Sequence, residues 1–241
     1  MDESRDGVIR VEQGRKRVRA FLGGQLVVDT LRPVLVWEWT RYPTYYVPVE
    51  DVRAELVPTG EVLPTGRGRA AVHDLRAGGL TAPRAAVRYL DPPVAELRDL
   101  VRVEWAAVDQ WFEEDEPVSV HPRDPYKRID ALASSRRVRV ELGGVLVADS
   151  TRPVILYETG LPPRYYLPLT DVRQDLLRPS ALRTSCPYKG TADYWSVEVG
   201  GTLHRDVLWG YRTTLPESAK IAGMVAFHDE RVHLTVDGAP G

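Results

Sequence analysis

The sequence predicts a mainly β protein built from two similar domains, and two observations carry this prediction. The block 17–57 returns at 137–177 with a constant offset of 120 residues, and 21 of its 41 positions are identical. Short apolar runs are separated by paired glycines, which is typical of antiparallel hairpins. A period of 120 residues is far longer than the ~20–50 residues of a solenoid repeat. The pattern therefore indicates a duplicated domain.

The repeat continues beyond this block after a slip of two residues, so that Gly78-Gly79 match Gly200-Gly201 and Trp105 matches Phe227. We predict a degenerate first β-domain at residues 1–120, a proline-rich linker that packs at 121–136, and a second β-domain at 137–241. Each domain then has roughly 100–120 residues, which is an ordinary size for an independent hydrophobic core.

The first part of each domain reads as a hairpin followed by two more strands. Gly23-Gly24 and Gly143-Gly144 stand where hairpin turns need positive φ. The strands around and after these turns are predicted at 18–22, 25–29, 34–38 and 45–47, and their counterparts at 137–149, 154–158 and 165–167. Asp51 and Asp171 are each predicted to begin a short helix.

The later part of the second domain is predicted to hold two further hairpins. One joins 194–199 to 202–208 through Gly200-Gly201, and the other joins 221–227 to 232–236 through 228–231. In the first domain the residues after Trp105 have helical spacing, so a helix is predicted to replace the last hairpin. The acidic run Glu113–Glu116 is then expected to be the solvated end of that helix.

Composition limits the function classes. The chain is 43% hydrophobic and 27% charged, contains one cysteine, and has no apolar run near the ~18–20 residues that cross a bilayer. One cysteine permits no internal disulfide, and residues 1–6 lack a signal-peptide pattern. We therefore predict a soluble cytoplasmic protein that does not bind membranes.

The charge balance argues against nucleic acid as a partner. Residues 1–120 carry 16 Lys and Arg against 20 Asp and Glu, and residues 121–241 carry 16 against 14. Neither half has the basic excess that binding to a phosphate backbone requires.

Cys186 and Lys189 form the first candidate site. Pro187 is predicted to set a β-turn in Cys186-Pro187-Tyr188-Lys189, which can bring the Lys189 ammonium towards the sulfur. A nearby cation lowers the pKa of a thiol, and the thiolate can act as a nucleophile. Alternatively, Lys189 grips an anionic ligand, or Cys186 fills a small apolar hole.

Glu158 is the second candidate, because it ends an apolar strand, as Glu38 does in the first domain. A buried carboxylate requires a partner, for which Arg152 or Arg173 is available. A structural ion pair is one interpretation of this set, and a general base or ligand acceptor facing a pocket is the other.

Aromatic residues are dense in the second domain, and a subset can line a pocket for a small molecule. The ligand-binding candidates are Tyr165, Tyr188, Tyr194, Trp209 and Arg152. The histidines have no metal-ligand spacing and one cysteine cannot complete a thiolate-rich zinc site, so no metal is predicted. The sequence identifies no cofactor.

The second half resembles the family known as domain of unknown function 427. The residues that carry the resemblance are Gly143-Gly144, Arg152-Pro153, Glu158, Tyr165-Tyr166-Leu167-Pro168, Cys186-Pro187-Tyr188-Lys189-Gly190 and Tyr194-Trp195. The resemblance implies a β-tent-like fold, a bacterial protein and a nucleotidyltransferase label. It also implies functional roles for Cys186, Lys189, Glu158 and Tyr165. The first half departs from the family at the Cys-Pro-Tyr-Lys positions.

Three functional hypotheses follow. The first is an enzyme or binding protein for a small molecule, with Lys189 fixing an anionic group and Cys186 acting as nucleophile or as lining. The second is a non-catalytic scaffold of two domains. The third is nucleotidyl transfer, although the sequence shows no paired aspartates for two metals. A monomer or a weak homodimer is expected.

Overall fold

The computed structural model describes residues 9–38, 42–65 and 68–241 and divides into two compact units between Asp124 and Pro125. Each unit contains a seven-stranded and a four-stranded antiparallel sheet, so the predicted mainly β fold and its duplication are confirmed. No helix within the described ranges is long and apolar enough to cross a membrane.

The first unit has eleven strands. They are β1 (Arg10–Gln13), β2 (Val18–Leu22), β3 (Gln25–Thr30), β4 (Val34–Trp37), β5 (Thr44–Pro48), β6 (Glu55–Thr65), β7 (Gly68–Ala77), β8 (Leu80–Tyr89), β9 (Leu100–Val103), β10 (Gln110–Glu113) and β11 (Glu116–Val118). The larger sheet has the order β1-β4-β5-β9-β8-β7-β6, and the smaller has the order β11-β10-β2-β3.

The second unit repeats this topology strand for strand. Its strands are β12 (Ile129–Ala133), β13 (Val138–Leu142), β14 (Val145–Ser150), β15 (Val154–Glu158), β16 (Arg164–Pro168), β17 (Leu177–Cys186), β18 (Gly190–Val199), β19 (Thr202–Gly210), β20 (Met224–Phe227), β21 (His233–Val236) and β22 (Ala239–Pro240). The sheet orders are β12-β15-β16-β20-β19-β18-β17 and β14-β13-β21-β22.

The paired glycines form the predicted hairpin turns. Gly143 and Gly144 have φ values of +56° and +77°, which are the left-handed conformations that a two-residue hairpin turn of this kind needs. They join β13 to β14, and Gly23-Gly24 join β2 to β3 in the same way.

The second unit has two separate apolar clusters because successive side chains of a strand point to opposite faces. On β16, Leu167 belongs to the large cluster shared with the four-stranded sheet, whereas Tyr166 belongs to a smaller cluster. On β19, Leu208 and Trp209 divide in the same way. The smaller cluster surrounds the candidate site described below.

The short helices predicted to begin at Asp51 and Asp171 are displaced. The structure has 3-10 helices at Val49–Asp51 and Leu169–Asp171, so each aspartate ends its helix. The Asp171 carboxylate instead accepts hydrogen bonds from Arg152 and Ser150, and these lower its pKa to about 2. Each aspartate therefore lies in the connection between two strands and does not cap the start of a helix.

The helix predicted after Trp105 is wrong. A single 3-10 turn at Trp105–Ala107 leads into strand β10, which pairs with β2, and β10 and β11 then form a hairpin. The acidic run Glu113–Glu116 spans the turn of that hairpin, and only residues 114–116 are exposed, because Glu113 is buried and accepts hydrogen bonds from Tyr45 and Lys16. The apolar residues whose spacing suggested one face of a helix belong instead to a short strand and its flanking turns.

The last predicted hairpin of the second domain is also corrected. β20 pairs with β16 and β19 in the larger sheet, whereas β21 pairs with β13 in the smaller one. The 3-10 turn Asp229–Arg231 therefore carries the chain from one sheet to the other.

The range assigned to the linker contains a strand of the second unit. β12 pairs antiparallel with β15 across all five of its residues. In both units the repeat thus begins with an extra edge strand, β1 or β12, that precedes the first hairpin.

Candidate functional site

The Cys-Pro-Tyr-Lys-Gly segment forms the turn of the hairpin between β17 and β18. Cys186 pairs with Gly190 across the turn, as the position of Pro187 predicts. Gly190 has φ +100°, and a Cβ atom there would lie 3.3 Å from the Thr213 carbonyl oxygen. Only glycine therefore fits this turn without strain against the neighbouring segment.

Residues 213–218 hold the turn in place. The Leu215 amide donates to the Lys189 carbonyl oxygen at 3.3 Å, and the Ser218 hydroxyl donates to the Tyr188 carbonyl oxygen at 3.3 Å. These bonds fix the backbone of Lys189 and therefore the position from which its side chain extends.

Lys189 forms an ion pair with Glu158 at the end of β15. The ammonium Nζ donates to the carboxylate Oε2, and the two side chains are only 12% and 8% exposed. The predicted partners Arg152 and Arg173 are wrong, because they bind Asp171 and Asp175 instead. The pair joins residues 31 positions apart, and the fold alone brings them together.

This ion pair lies at a cavity of about 290 Å³ on the outer face of the larger sheet. The cavity has aromatic walls and a few polar groups. Its lining residues are Leu156, Glu158, Leu161, Pro162, Arg164, Tyr166, Lys189, Tyr194, Trp209, Tyr211 and His228. An apolar, concave surface with a small number of convergent polar groups is the usual form of a small-molecule site.

The aromatic walls are held by contacts among themselves. The Trp209 indole Nε1 donates to the Tyr166 hydroxyl at 3.3 Å, and the two rings meet edge to face at 6.4 Å. The Trp209 and His228 ring centroids are 4.6 Å apart. Burial raises the pKa of Tyr166 and Tyr211 above the ordinary value, so both phenols are neutral at pH 7.

The charges at the cavity compensate one another. The Arg164 guanidinium donates to Asp229 at 2.7 Å and lies 5.6 Å from the centre of the Trp209 ring, within cation–π range. Burial lowers the pKa of His228, so its imidazole is neutral at pH 7. With Lys189 balanced by Glu158, the cavity carries no net charge.

Four of the eight predicted site residues line this cavity: Glu158, Lys189, Tyr194 and Trp209. Cys186 is half-buried and close enough to Tyr166 and Tyr211 to raise their pKa slightly, after the larger effect of burial, but it is not part of the lining.

The other three predicted residues lie elsewhere. Tyr188 is buried inside the turn, and Arg152 binds Asp171 and Thr170 at the other end of β15. Tyr165 packs against the large cluster on the opposite face of the sheet.

Sequence reasoning missed Tyr166, Tyr211, Arg164 and His228 as lining residues. Strand alternation gave a signal for Tyr166, because Trp209 and Tyr166 must share a face if Leu208 and Leu167 share the other. Nothing local in the sequence indicates that Arg164 and Asp229, 65 positions apart, form a pair.

Comparison with protein families gives one result that covers most of the chain. The model described as domain of unknown function (DUF427) matches residues 10–114 and again residues 130–238. The chain belongs to the DUF427 family. It contains two copies of that domain, one in each structural unit. A comparison with curated proteins found no match.

The first DUF427 domain has a carboxylate at the same place but surrounds it differently. Glu38, 8% exposed, accepts hydrogen bonds from the hydroxyls of Tyr46 at 3.0 Å and Tyr89 at 3.3 Å, and from the Arg102 guanidinium at 2.8 Å. Burial alone would lower the pKa of Arg102, but Glu38, Tyr46 and Glu104 raise it above its ordinary value.

Strand register explains this difference between the two DUF427 domains. Arg102 stands opposite Val87 on β8, and Ala226 stands opposite Trp209 on the equivalent strand β19. The same register aligns Val103, rather than Trp105, with Phe227. A guanidinium thus occupies the first domain where alanine leaves space in the second.

The lysine position itself cannot be compared in this way. Gly66 and Arg67, which stand in the first DUF427 domain where Tyr188 and Lys189 stand in the second, lie outside the described residues. Within the described ranges, no group of three or more His, Cys, Asp or Glu side chains is arranged to hold a metal ion.

Proposed function

We propose that the second DUF427 domain binds a small, planar molecule in the cavity at Lys189 and Glu158. The observation that carries the proposal is a buried ion pair facing a cavity with aromatic walls. Buried ion pairs cost desolvation energy, so the presence of one is weak evidence for a purely stabilising role. Because the Lys189–Glu158 pair lines a cavity, it can bind a ligand there.

The dimensions favour a small ligand. A volume of about 290 Å³ lies just below the range of about 300–1,000 Å³ that is typical of small-molecule sites. Trp209, Tyr194 and His228 offer ring faces on one side, and offset stacking on such rings favours a flat, unsaturated ligand.

Each polar residue has a distinct role in this proposal. Lys189 donates hydrogen bonds and Glu158 accepts them, while the Tyr211 hydroxyl adds a third polar group. Cys186 is not part of the cavity lining and has no direct role in this proposal. Because the Lys189 ammonium is bonded to Glu158, the geometry favours binding over a thiolate nucleophile at Cys186.

The test is a screen of small aromatic and heteroaromatic fragments by saturation-transfer NMR with the full chain. Leu161→Trp should block the cavity, since Leu161 is 55% exposed at its lining, and should remove the saturation signal of cavity-bound fragments. Leu203→Trp is the matched control, because Leu203 is 45% exposed in the same domain and is not part of the lining. Equal signals from both variants would contradict the proposal.

The two alternative functions predict other results. A non-catalytic scaffold predicts that no fragment distinguishes the two variants. Nucleotidyl transfer, the activity to which the short name of the family model refers, predicts that magnesium with a nucleoside triphosphate raises the melting temperature. Cytoplasmic location and a monomeric or weakly dimeric state stay predictions from composition.

A further inference from the structure

We infer that the ligand of this cavity is an uncharged, planar molecule that presents an amide or lactam edge, with an N–H and a C=O side by side. The inference rests on the proposed function and names the chemical class of its ligand. It follows from three features of the cavity: the free hydrogen-bonding positions of the ion pair, the balance of charge, and the shape of the walls.

The ion pair offers one acceptor and one donor side by side. In the described chain, the hydrogen bond from Lys189 is the only one that the Glu158 carboxylate accepts, so its second oxygen is available. The Lys189 ammonium has three protons, of which Glu158 takes one. A ligand N–H can therefore donate to Glu158 while its adjacent carbonyl accepts from Lys189.

The corresponding carboxylate of the first domain, that of Glu38, is more fully hydrogen-bonded. Both oxygens of Glu38 accept hydrogen bonds, one from the Tyr46 and Tyr89 hydroxyls and the other from Arg102. In the second domain the Tyr166 hydroxyl accepts a hydrogen bond from the Trp209 indole, and no tyrosine of the described chain donates to Glu158. The free acceptor is thus specific to the second domain.

Charge balance disfavours both kinds of ion. An anionic ligand would place a second negative group against Glu158, whose charge Lys189 already neutralises. A cationic ligand would meet Lys189, and also Arg164, which already lies over the Trp209 ring. Like charges in direct contact select strongly against a partner, so a neutral ligand fits best.

The aromatic walls favour a flat ligand. Tyr194 and His228 have nearly parallel rings, with an interplanar angle of 19° at 6.4 Å, and Trp209 stands tilted beside them. A conjugated ring that carries the amide edge can stack on these side chains and still reach the ion pair.

Three isosteric probes test this inference: benzamide, benzoate and benzamidine. All three have the same ring and the same shape, but benzamide has one donor group and one acceptor, benzoate has two acceptors, and benzamidine has two donor groups. Dissociation constants at pH 7 come from saturation-transfer titrations with the full chain. We expect benzamide to bind at least about tenfold more tightly than either ion, because each ion leaves one member of the pair facing its own kind.

Substitution of the ion pair should reverse the preference. Glu158→Gln leaves Lys189 unbalanced and should make benzoate the tightest of the three probes. Lys189→Met leaves Glu158 unbalanced and should make benzamidine the tightest. Glu198→Gln is the matched control, because Glu198 forms an exposed pair with Arg178 in the same domain and should leave the order of the probes unchanged.

The outcomes separate this inference from the proposed function. If benzoate or benzamidine binds the unsubstituted protein best and Leu161→Trp abolishes that binding, the cavity is a ligand site but the inferred ligand class is wrong. If no probe or fragment responds to Leu161→Trp, the proposed function fails as well. The measurement on the unsubstituted protein decides the inference even if the substituted chains fail to fold.

Discussion

Two carboxylates at equivalent positions, Glu38 and Glu158, have opposite surroundings. Glu38 is enclosed by two tyrosine hydroxyls and by Arg102, which extends from the neighbouring region of the same sheet. Glu158 is bound by Lys189 from a hairpin turn, and its other side faces a cavity. The backbone topology is the same in both domains.

This contrast shows how one fold supports either a closed polar cluster or an open site. The position of Arg102 on β9 corresponds to Ala226 on β20, and Val87 corresponds to Trp209. In the described part of the first domain a large cation stands beside a small side chain and reaches the carboxylate, whereas in the second domain a small side chain stands beside a large indole that lines the cavity. Side-chain volume at these two paired positions is one source of the difference.

The largest predicted effect comes from removing the cation in each domain. Arg102→Ala should cost about 3–5 kcal/mol of unfolding free energy, because it leaves Glu38 charged in an enclosed site. Lys189→Ala should cost at least as much, because Glu158 is as deeply buried as Glu38 and loses the one hydrogen bond that its carboxylate accepts in the described chain, whereas Glu38 keeps two tyrosine donors. Hydrogen exchange with mass spectrometry measures the stability of each domain separately.

Arg76→Ala provides the control for these measurements. Arg76 and Glu55 form a pair in which both side chains are more than half exposed, and such pairs contribute about 0–1 kcal/mol. A loss for Lys189→Ala that is clearly smaller than the loss for Arg102→Ala would contradict the view that Glu158 depends on Lys189 alone.

The second prediction compares Tyr46 and Tyr166, which occupy equivalent positions in the two domains. Tyr46→Phe removes a hydrogen bond to a charged acceptor and should cost about 1.5–3 kcal/mol, whereas Tyr166→Phe removes one between neutral groups and should cost about 0.5–1.5 kcal/mol. Urea unfolding of the two variants measures both. Tyr157→Phe, at an exposed position, should change little. The opposite order for Tyr46 and Tyr166 would refute the comparison.

The third prediction concerns acid sensitivity of the first domain. Burial lowers the pKa of His73, and its Nδ1 atom is buried without a partner among the described residues. Because the unfolded state binds the proton more readily, stability is complete above pH 6.5 and falls as the pH drops towards the folded pKa. The loss is at most about 1.4 kcal/mol per pH unit.

Urea midpoints measured between pH 7 and pH 5 test this sensitivity. His73→Phe should flatten the dependence of the first domain. In the second domain burial also lowers the pKa of His228, although Glu230 at 3.3 Å opposes this shift, so the stability of that domain should change in the same direction. A first domain that is equally stable at pH 5 and pH 7 would show that His73 is not the source.

The smallest predicted effect concerns Cys186. Since the Lys189 ammonium is bonded to Glu158, it should not activate the thiol, and Lys189→Met should change the rate of alkylation by iodoacetamide less than about threefold. Intact-mass measurement follows the reaction at this single cysteine. A tenfold slower reaction in the variant would instead support a thiolate that Lys189 stabilises.

Features that depend on local pattern could be predicted from the sequence. Paired glycines located the hairpins at 23–24 and 143–144, and Pro187 located the turn that presents Lys189. Glu158 is predicted as a carboxylate that ends an apolar strand, Lys189 from its place in the turn, and Tyr194 and Trp209 from the density of aromatic residues in the second domain.

Features that depend on long-range register could not be predicted. Arg152 and Arg173 are closer to Glu158 in sequence than Lys189 is, yet strand pairing places the lysine beside it. The choice of Tyr165 over Tyr166 depends on which face each residue takes, and one position reverses that face. The role of Arg102 could not be predicted, because its structural counterpart in the second domain lies at an offset of 124 residues, whereas the sequence repeat aligns at offsets of 120 and 122.

The most direct test of the account is a titration of the ¹⁵N-labelled protein with benzamide, followed at the indole N–H signals of its six tryptophans. Trp209 lines the cavity of the second domain, whereas the indole of Trp111 donates to the Trp105 carbonyl oxygen at 3.1 Å in the core of the first. The account predicts a saturable shift of the Trp209 signal while the Trp111 signal stays in place. A Trp209 signal that does not move at millimolar benzamide, or a Trp111 signal that moves equally, would contradict it.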